Sequence, residues 1–222
     1  MICFIKMLTN CSGKLEDVQR LLDETLSAFG GVNLACFNAG VGGSGGQDGA
    51  PSSMSVLDAD LERWEWVEAV NFWGVLYGSK LFGKYMSEQA LADGTEGHIV
   101  NTASMAGVQA GFLGAYSTSK HSVVALTEKL VTELQMNGAF PAMGASVLCP
   151  AFVATNIYDS ARYDKAAEEG SPVKINEKAS PMQDEKTIGK GLGQAMGLIS
   201  PASVADSKSY TQAISDVRHR TH

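Results

Sequence analysis

Long hydrophobic runs are missing from this sequence. No apolar stretch reaches the roughly 18 residues that a membrane-spanning helix needs, so no membrane partner is expected. Paired cysteines are missing too. Cys3, Cys11, Cys36 and Cys149 make no CxxC, and no Cys/His group has ligand spacing. That pattern speaks against a disulfide scaffold and against a resident metal, and it predicts reduced thiols in a cytoplasmic protein. A basic stripe is also lacking. Lys and Arg total 17 against 24 Asp and Glu, a net charge of -7, so nothing is in place to neutralise nucleic-acid phosphates. Residues 1–8 are apolar but too short for a secretory signal, which leaves the literal sequon Asn10-Cys11-Ser12 without meaning. Internal repeats are absent.

What is present is an ordinary globular balance. The 222 residues are 45% hydrophobic and 18% charged, enough for one α/β domain with a core of its own. Short apolar runs alternate with longer amphipathic ones, the βαβα pattern of a parallel sheet covered by helices on both faces. Residues 2–8 read as a first strand. Leu15, Val18, Leu21, Leu22, Leu26 and Phe29 follow helical spacing, and Gly30-Gly31 end that helix. Residues 32–37 form a short buried strand. Residues 40–54 are a loop rich in Gly and Ser. Asp58 or Asp60 caps a long helix over about 61–92. A strand at 98–102, a helix over about 114–137 and a strand at 145–149 follow. About 151–200 is an excursion of few large apolar side chains, the kind of segment that acts as a lid or binding loop. Ser200-Pro201 opens a last helix to about residue 217.

The sharpest chemical signal is Tyr116-Ser117-Thr118-Ser119-Lys120. One helical turn separates Tyr116 from Lys120, so both lie on one face. A phenol near pKa 10 is a poor acid or base at neutral pH, and a neighbouring ammonium favours its phenolate. The proton can then pass to or from a substrate oxygen. Ser104 lies twelve residues upstream, just beyond a predicted strand, where parallel sheets place ligand sites. Its hydroxyl can hold the same oxygen against Tyr116.

With Asn38-Ala39-Gly40 at a strand end, Val70-Asn71 in a long helix, Ser104 with Gly107, Tyr116 with Lys120, and Cys149-Pro150-Ala151-Phe152-Val153-Ala154-Thr155, the chain resembles the short-chain dehydrogenase/reductases over about residues 15–215. Five motifs stand in that family's order. The resemblance implies an open, doubly wound, mainly parallel Rossmann-like sheet, with 1–222 as one domain. It implies transfer of hydride between NAD or NADP and a small alcohol or ketone. Asn71, Ser104, Tyr116 and Lys120 would be catalytic: Tyr116 as general acid/base, Ser104 orienting substrate, Lys120 binding the nicotinamide ribose and tuning Tyr116, and Asn71 holding a water. Asn38, Ala39, Gly40, Pro150, Val153 and Thr155 would border the cofactor, although Thr155 reads equally as a helix cap. Phe112, Phe152 and Tyr158, with Leu113, would shape an apolar substrate pocket. A homodimer or homotetramer is implied, through helices matching 61–92 and 114–137.

The chain departs from the family in two ways. The glycine-rich turn TGxxxGxG, which seats a pyrophosphate on a helix N-terminus, is not found before Leu15, so the fold is expected to be incomplete at its N-terminus. An exposed strand edge and an inclination to aggregate would follow. Ala151 replaces the common glycine after Pro150. The alternative function is a truncated or degenerate member without catalysis, acting as a fragment or through its helices. Gly40-Val41-Gly42-Gly43-Ser44-Gly45 fits G-x-G-x-x-G but opens no amphipathic helix, and reads as a flexible loop. Trp64, Trp66 and Trp73 are expected in the core or at a helix interface. His98 and His121 are expected to be structural or superficial.

Overall fold

A computed structural model describes residues 13–42, 56–109, 113–151 and 157. The expected strand at 2–8 and helix at 201–217 lie outside these residues, as does most of the excursion over 151–200. Helix α1 (Leu15–Phe29) leads to strand β1 (Leu34–Phe37). Helices α2 (Leu61–Glu68) and α3 (Gly74–Asp93) are joined by a π turn at Ala69–Trp73. Strand β2 (Gly97–Thr102), a 3-10 turn at Met105–Gly107, helix α4 (Gly114–Met136) and strand β3 (Met143–Leu148) complete the order.

The three strands run parallel in the order β1-β2-β3, with Ala35 opposite Ile99 and Ile99 opposite Ala145. This is an α/β fold. The helices of the described residues lie on one face of the sheet. Side chains alternate along a strand, and Ala35, Ile99 and Ala145 all join one core with Val18 and Leu22 of α1, Phe82 and Met86 of α3 and Leu134 of α4. The helical layer expected on the other face falls outside the described residues. On that face Cys36 is exposed, and His98 pairs with Ser146 (Nε2 to Oγ, 2.8 Å).

Local signals explain the boundaries. Gly30 adopts the left-handed conformation (φ 73°) that ends α1, its N–H donating to the Leu26 carbonyl at 2.8 Å. Asp60, not Asp58, caps α2, its carboxylate accepting from the Arg63 N–H at 3.3 Å. The single helix expected over 61–92 is instead broken by the π turn. An extra residue in that turn rotates Asn71 inward, where it is fully buried. Strand β1 meets α3 at Gly78, because a Cβ there would lie 2.2 Å from the Phe37 ring. Phe37 in turn stands edge-on to Phe82, centroids 5.5 Å apart.

Candidate active site

The carboxyl ends of β1, β2 and β3 and the first turns of α4 converge on one cluster. At the end of β2 the Thr102 carbonyl accepts a hydrogen bond from Lys120 Nζ at 2.8 Å. Ser104 follows in extended backbone. Its hydroxyl accepts from the Ala106 N–H at 3.2 Å, capping the 3-10 turn. The same hydroxyl stands beside the Tyr116 phenol and lowers its pKa. Two main-chain bonds, Ala103 N–H to the Leu148 carbonyl (2.8 Å) and Met105 N–H to the Pro150 carbonyl (2.9 Å), bind this segment to the end of β3. Cys149 and Pro150 are thereby drawn alongside Ser104.

Tyr116 and Lys120 share a face of α4, as their spacing requires. The 3-10 turn packs against that face through Gly107, where a Cβ would come within 2.6 Å of the Lys120 carbonyl. Lys120 Nζ lies 5.8 Å from the centroid of the Tyr116 ring. Lys120 is only 2% exposed, and burial brings its ammonium down to about 8, the Cys149 sulfur opposing that fall. Burial raises the Tyr116 phenol above its ordinary value, and the Ser104 hydrogen bond works the other way. The sequence argument made the lysine the agent that acidifies Tyr116. In the structure Ser104 also lowers the phenol's pKa, while the lysine's hydrogen bond goes to the strand.

Asn71 clamps the end of β1 onto α4. Its Oδ1 accepts from the Val41 N–H (2.8 Å), while Nδ2 donates to the Val41 carbonyl (3.0 Å) and to Ser119 Oγ (3.1 Å). Ser119 passes its own proton to the Tyr116 carbonyl at 2.8 Å. Gly40 lies inside the clamp: a Cβ there would be 3.3 Å from Asn71 Oδ1 and 3.4 Å from Lys120 Nζ. Asn38 is exposed and Ala39 half-buried at the strand end.

The structure therefore gathers Asn38, Ala39, Gly40, Asn71, Ser104, Tyr116, Lys120 and Pro150 at one end of the sheet. Phe112, Phe152, Val153, Thr155 and Tyr158 lie outside the described residues. Sequence reasoning missed the Thr102 carbonyl, Val41, Ser119 and Cys149. A backbone carbonyl leaves no trace in a sequence, but Ser119 could have been found: it stands beside Lys120 and one turn after Tyr116. Trp64 and Trp66 pack with Val67, Val41 and Ala115, whereas Trp73 is 44% exposed beside Phe72 and Tyr77. His98 starts β2, away from the cluster, and His121 is an exposed α4 residue with Nδ1 against the Ser117 carbonyl (2.8 Å). Among the described residues no helix is long and apolar enough to cross a membrane.

Comparison with known proteins fits this arrangement. The family model for short chain dehydrogenases matches residues 4–166. The 3beta-hydroxysteroid dehydrogenase 2 of Eggerthella lenta is 30% identical over 143 residues, 64% of this chain and 49% of that protein. The 1-deoxy-11-beta-hydroxypentalenate dehydrogenase of Streptomyces exfoliatus is 32% identical over 141 residues, 63% of this chain and 46% of that protein. A short-chain dehydrogenase/reductase from Burkholderia phymatum, solved in complex with NAD, superposes with a TM-score of 0.66 at 34% identity. That match covers 92% of this chain and 66% of the solved one. The chain spans about half the length of the curated relatives it matches. With the motifs in order, the cluster at the sheet's carboxyl end and a family match over residues 4–166, the chain belongs to the short-chain dehydrogenase/reductase family.

Proposed function

We propose that this protein is an NAD- or NADP-dependent oxidoreductase that interconverts a small alcohol and its carbonyl compound, with Tyr116 as general acid/base. The observation that carries the reading is the meeting of Ser104, Tyr116 and the buried Lys120 ammonium at the carboxyl end of the sheet. Perturbed ionisable groups gathered at a strand end are what proton-transfer chemistry needs. The names of the two dehydrogenases above and the NAD in the Burkholderia structure support the same reading.

The residues present suit a nicotinamide coenzyme. Gly40 brings bare backbone against Asn71 and the Lys120 ammonium, where a Cβ would lie 3.3 Å and 3.4 Å from their polar atoms. An ammonium has three N–H donors, and the Thr102 carbonyl takes one. The others suit ribose hydroxyls, while Asn38, Ala39 and Gly40 would border the coenzyme. When bound, the nicotinamide ring supplies or accepts the hydride.

The chain's own residues manage the proton. In the reducing direction the Tyr116 hydroxyl donates its proton to the substrate carbonyl oxygen. In the oxidising direction its phenolate takes the proton of the alcohol. The Ser104 hydroxyl donates to that oxygen or to the phenolate, and so holds both in line. Lys120 places a cation 5.8 Å from the ring centroid, which favours the phenolate. Asn71 holds Val41 and Ser119, which fixes the backbone at Gly40 against α4.

The decisive experiment is Tyr116→Phe, assayed by nicotinamide absorbance on a panel of small secondary alcohols and ketones. Turnover should disappear while the thermal unfolding curve stays in place. Activity retained in that variant would remove Tyr116 from the mechanism. Absence of saturable coenzyme binding by the unaltered protein, in a nicotinamide fluorescence titration, would defeat the reading altogether.

A further inference from the structure

Behind the candidate site lies a second polar cluster that the chemistry above does not use. Asn101, in β2, is fully buried, as are Ser79 of α3 and Thr127 of α4. The Asn101 amide donates to Thr127 Oγ1 at 3.0 Å and to Ser79 Oγ at 3.2 Å, and Ser79 Oγ lies 3.4 Å from Asn101 Oδ1. Thr127 sends its own proton to the Val123 carbonyl at 2.7 Å, so towards Asn101 it can act only as an acceptor. The neighbours are apolar: Ile99 on the same strand face, Phe82 on α3, Val123 on α4. Buried polar groups are costly unless fully paired. Apolar side chains would fill this space without that demand, but they would not fix direction. A hydrogen-bonded amide holds in one register only.

The register it fixes is that of the site. Thr102, the next residue, gives its carbonyl to Lys120. Ser104, three residues on, meets Tyr116. Thr127 lies two turns beyond Lys120 on the same helix, and Ser79 lies two turns beyond Asn71 on the same helical run. A slip of α4 along β2 would break the Asn101–Thr127 bond together with both catalytic contacts.

We propose that Asn101, Ser79 and Thr127 are positioning residues for the candidate active site, holding α4 and α3 in the register that aligns Ser104 with Tyr116 and the Thr102 carbonyl with Lys120. The proposal rests on the oxidoreductase reading for its effect on rate. Its effect on Tyr116 itself is independent of that reading. A misplacement of catalytic groups by about 1 Å can cost on the order of 100-fold in rate.

The test uses the whole chain with Thr127→Val, which keeps the shape and removes the acceptor, and Thr127→Ser, which restores it. Two quantities are read: kcat and KM for carbonyl reduction, and the titration midpoint of Tyr116, followed by NMR of isotope-labelled tyrosines with the signal assigned through Tyr116→Phe. Thr127→Val should lower kcat by about 10- to 100-fold with coenzyme KM unchanged. It should also move the Tyr116 midpoint upward, because the Ser104 bond that lowers it is loosened. Thr127→Ser should return both values towards those of the parent chain. Should Thr127→Val not fold, the triple change Asn101→Leu, Ser79→Ala and Thr127→Val leaves no polar side chain of the cluster unpaired, and the same two readouts apply. A folded variant of either kind with parental kcat and an unmoved Tyr116 midpoint overturns the proposal. Absence of saturable coenzyme binding by the unaltered chain overturns the oxidoreductase reading instead, while the Tyr116 midpoint in Thr127→Val still decides the coupling.

Discussion

Lys120 gives its hydrogen bond to the carbonyl of Thr102 at 2.8 Å and not to the hydroxyl of Tyr116, one turn away on the same helix. The lysine is thereby a tie between α4 and the end of β2 as well as a charge beside the phenol. Ser104 is the neighbour that lowers the pKa of that phenol.

Ser104→Ala should therefore move the pH profile as well as the rate. Alcohol oxidation needs the phenolate, so its rate climbs with pH towards the Tyr116 pKa, which burial has raised. Removing the bond that opposes this rise should push the alkaline limb to higher pH and lower kcat by about 100-fold. A full pH series of kcat for oxidation is the measurement. An unmoved limb would separate Ser104 from the titration of Tyr116.

Lys120→Met should make the folded protein more stable at neutral pH. The folded-state ammonium titrates at about 8 against 10.5 in its ordinary state. Between those values the unfolded chain binds the extra proton, so the parent chain gains stability from this group as pH rises from 8 to 10.5, and lacks that gain below 8. The variant escapes the burial penalty, so it should exceed the parent by roughly 3 kcal/mol at pH 7. That advantage should shrink towards zero near pH 10.5. Denaturant titrations at pH 7 and pH 10 would show it; equal differences at both would refute the burial argument.

Gly40→Ala should weaken coenzyme binding while sparing the fold. The added methyl would stand 3.3 Å from Asn71 Oδ1 and 3.4 Å from Lys120 Nζ, crowding the groups that would face the coenzyme without a severe clash. We expect Kd for NAD or NADP to rise about tenfold or more, roughly the 1–3 kcal/mol that overpacking costs. A nicotinamide fluorescence titration, with thermal unfolding as control, gives both quantities. An unchanged Kd would place the coenzyme elsewhere.

Gly78→Ala should act on stability alone. Its Cβ would fall 2.2 Å from the Phe37 ring, so either the ring or the β1–α3 spacing must give way. A loss of about 1–3 kcal/mol is expected. Phe37→Leu in the same chain should recover part of it, since the obstructing ring is then gone. Denaturant midpoints of the two variants and the double variant form the cycle that measures this.

The sequence made α1 legible because Val18 and Leu22 repeat at helical spacing and Gly30 stops the repeat. Strands β1, β2 and β3 were found within two residues of their ends because each is a short apolar run. The helix over 61–92 was overextended in type, because a π turn has no hydrophobic period of its own. Asp60 could not be told from Asp58 as the cap, since both precede the same apolar run.

The sequence by itself determined that residues 104, 116 and 120 could meet: twelve residues from strand end to helix, then one helical turn, leave them little else to do. It also determined which residue types were available for proton transfer. Only the tertiary structure decided how those groups share their bonds. Lys120 goes to Thr102, and Asn71 goes to Val41 and Ser119, while Ser104 stands beside Tyr116. The physical reason is that a hydrogen bond depends on distance and direction in space, and burial on what packs around a group. Spacing along a chain supplies neither.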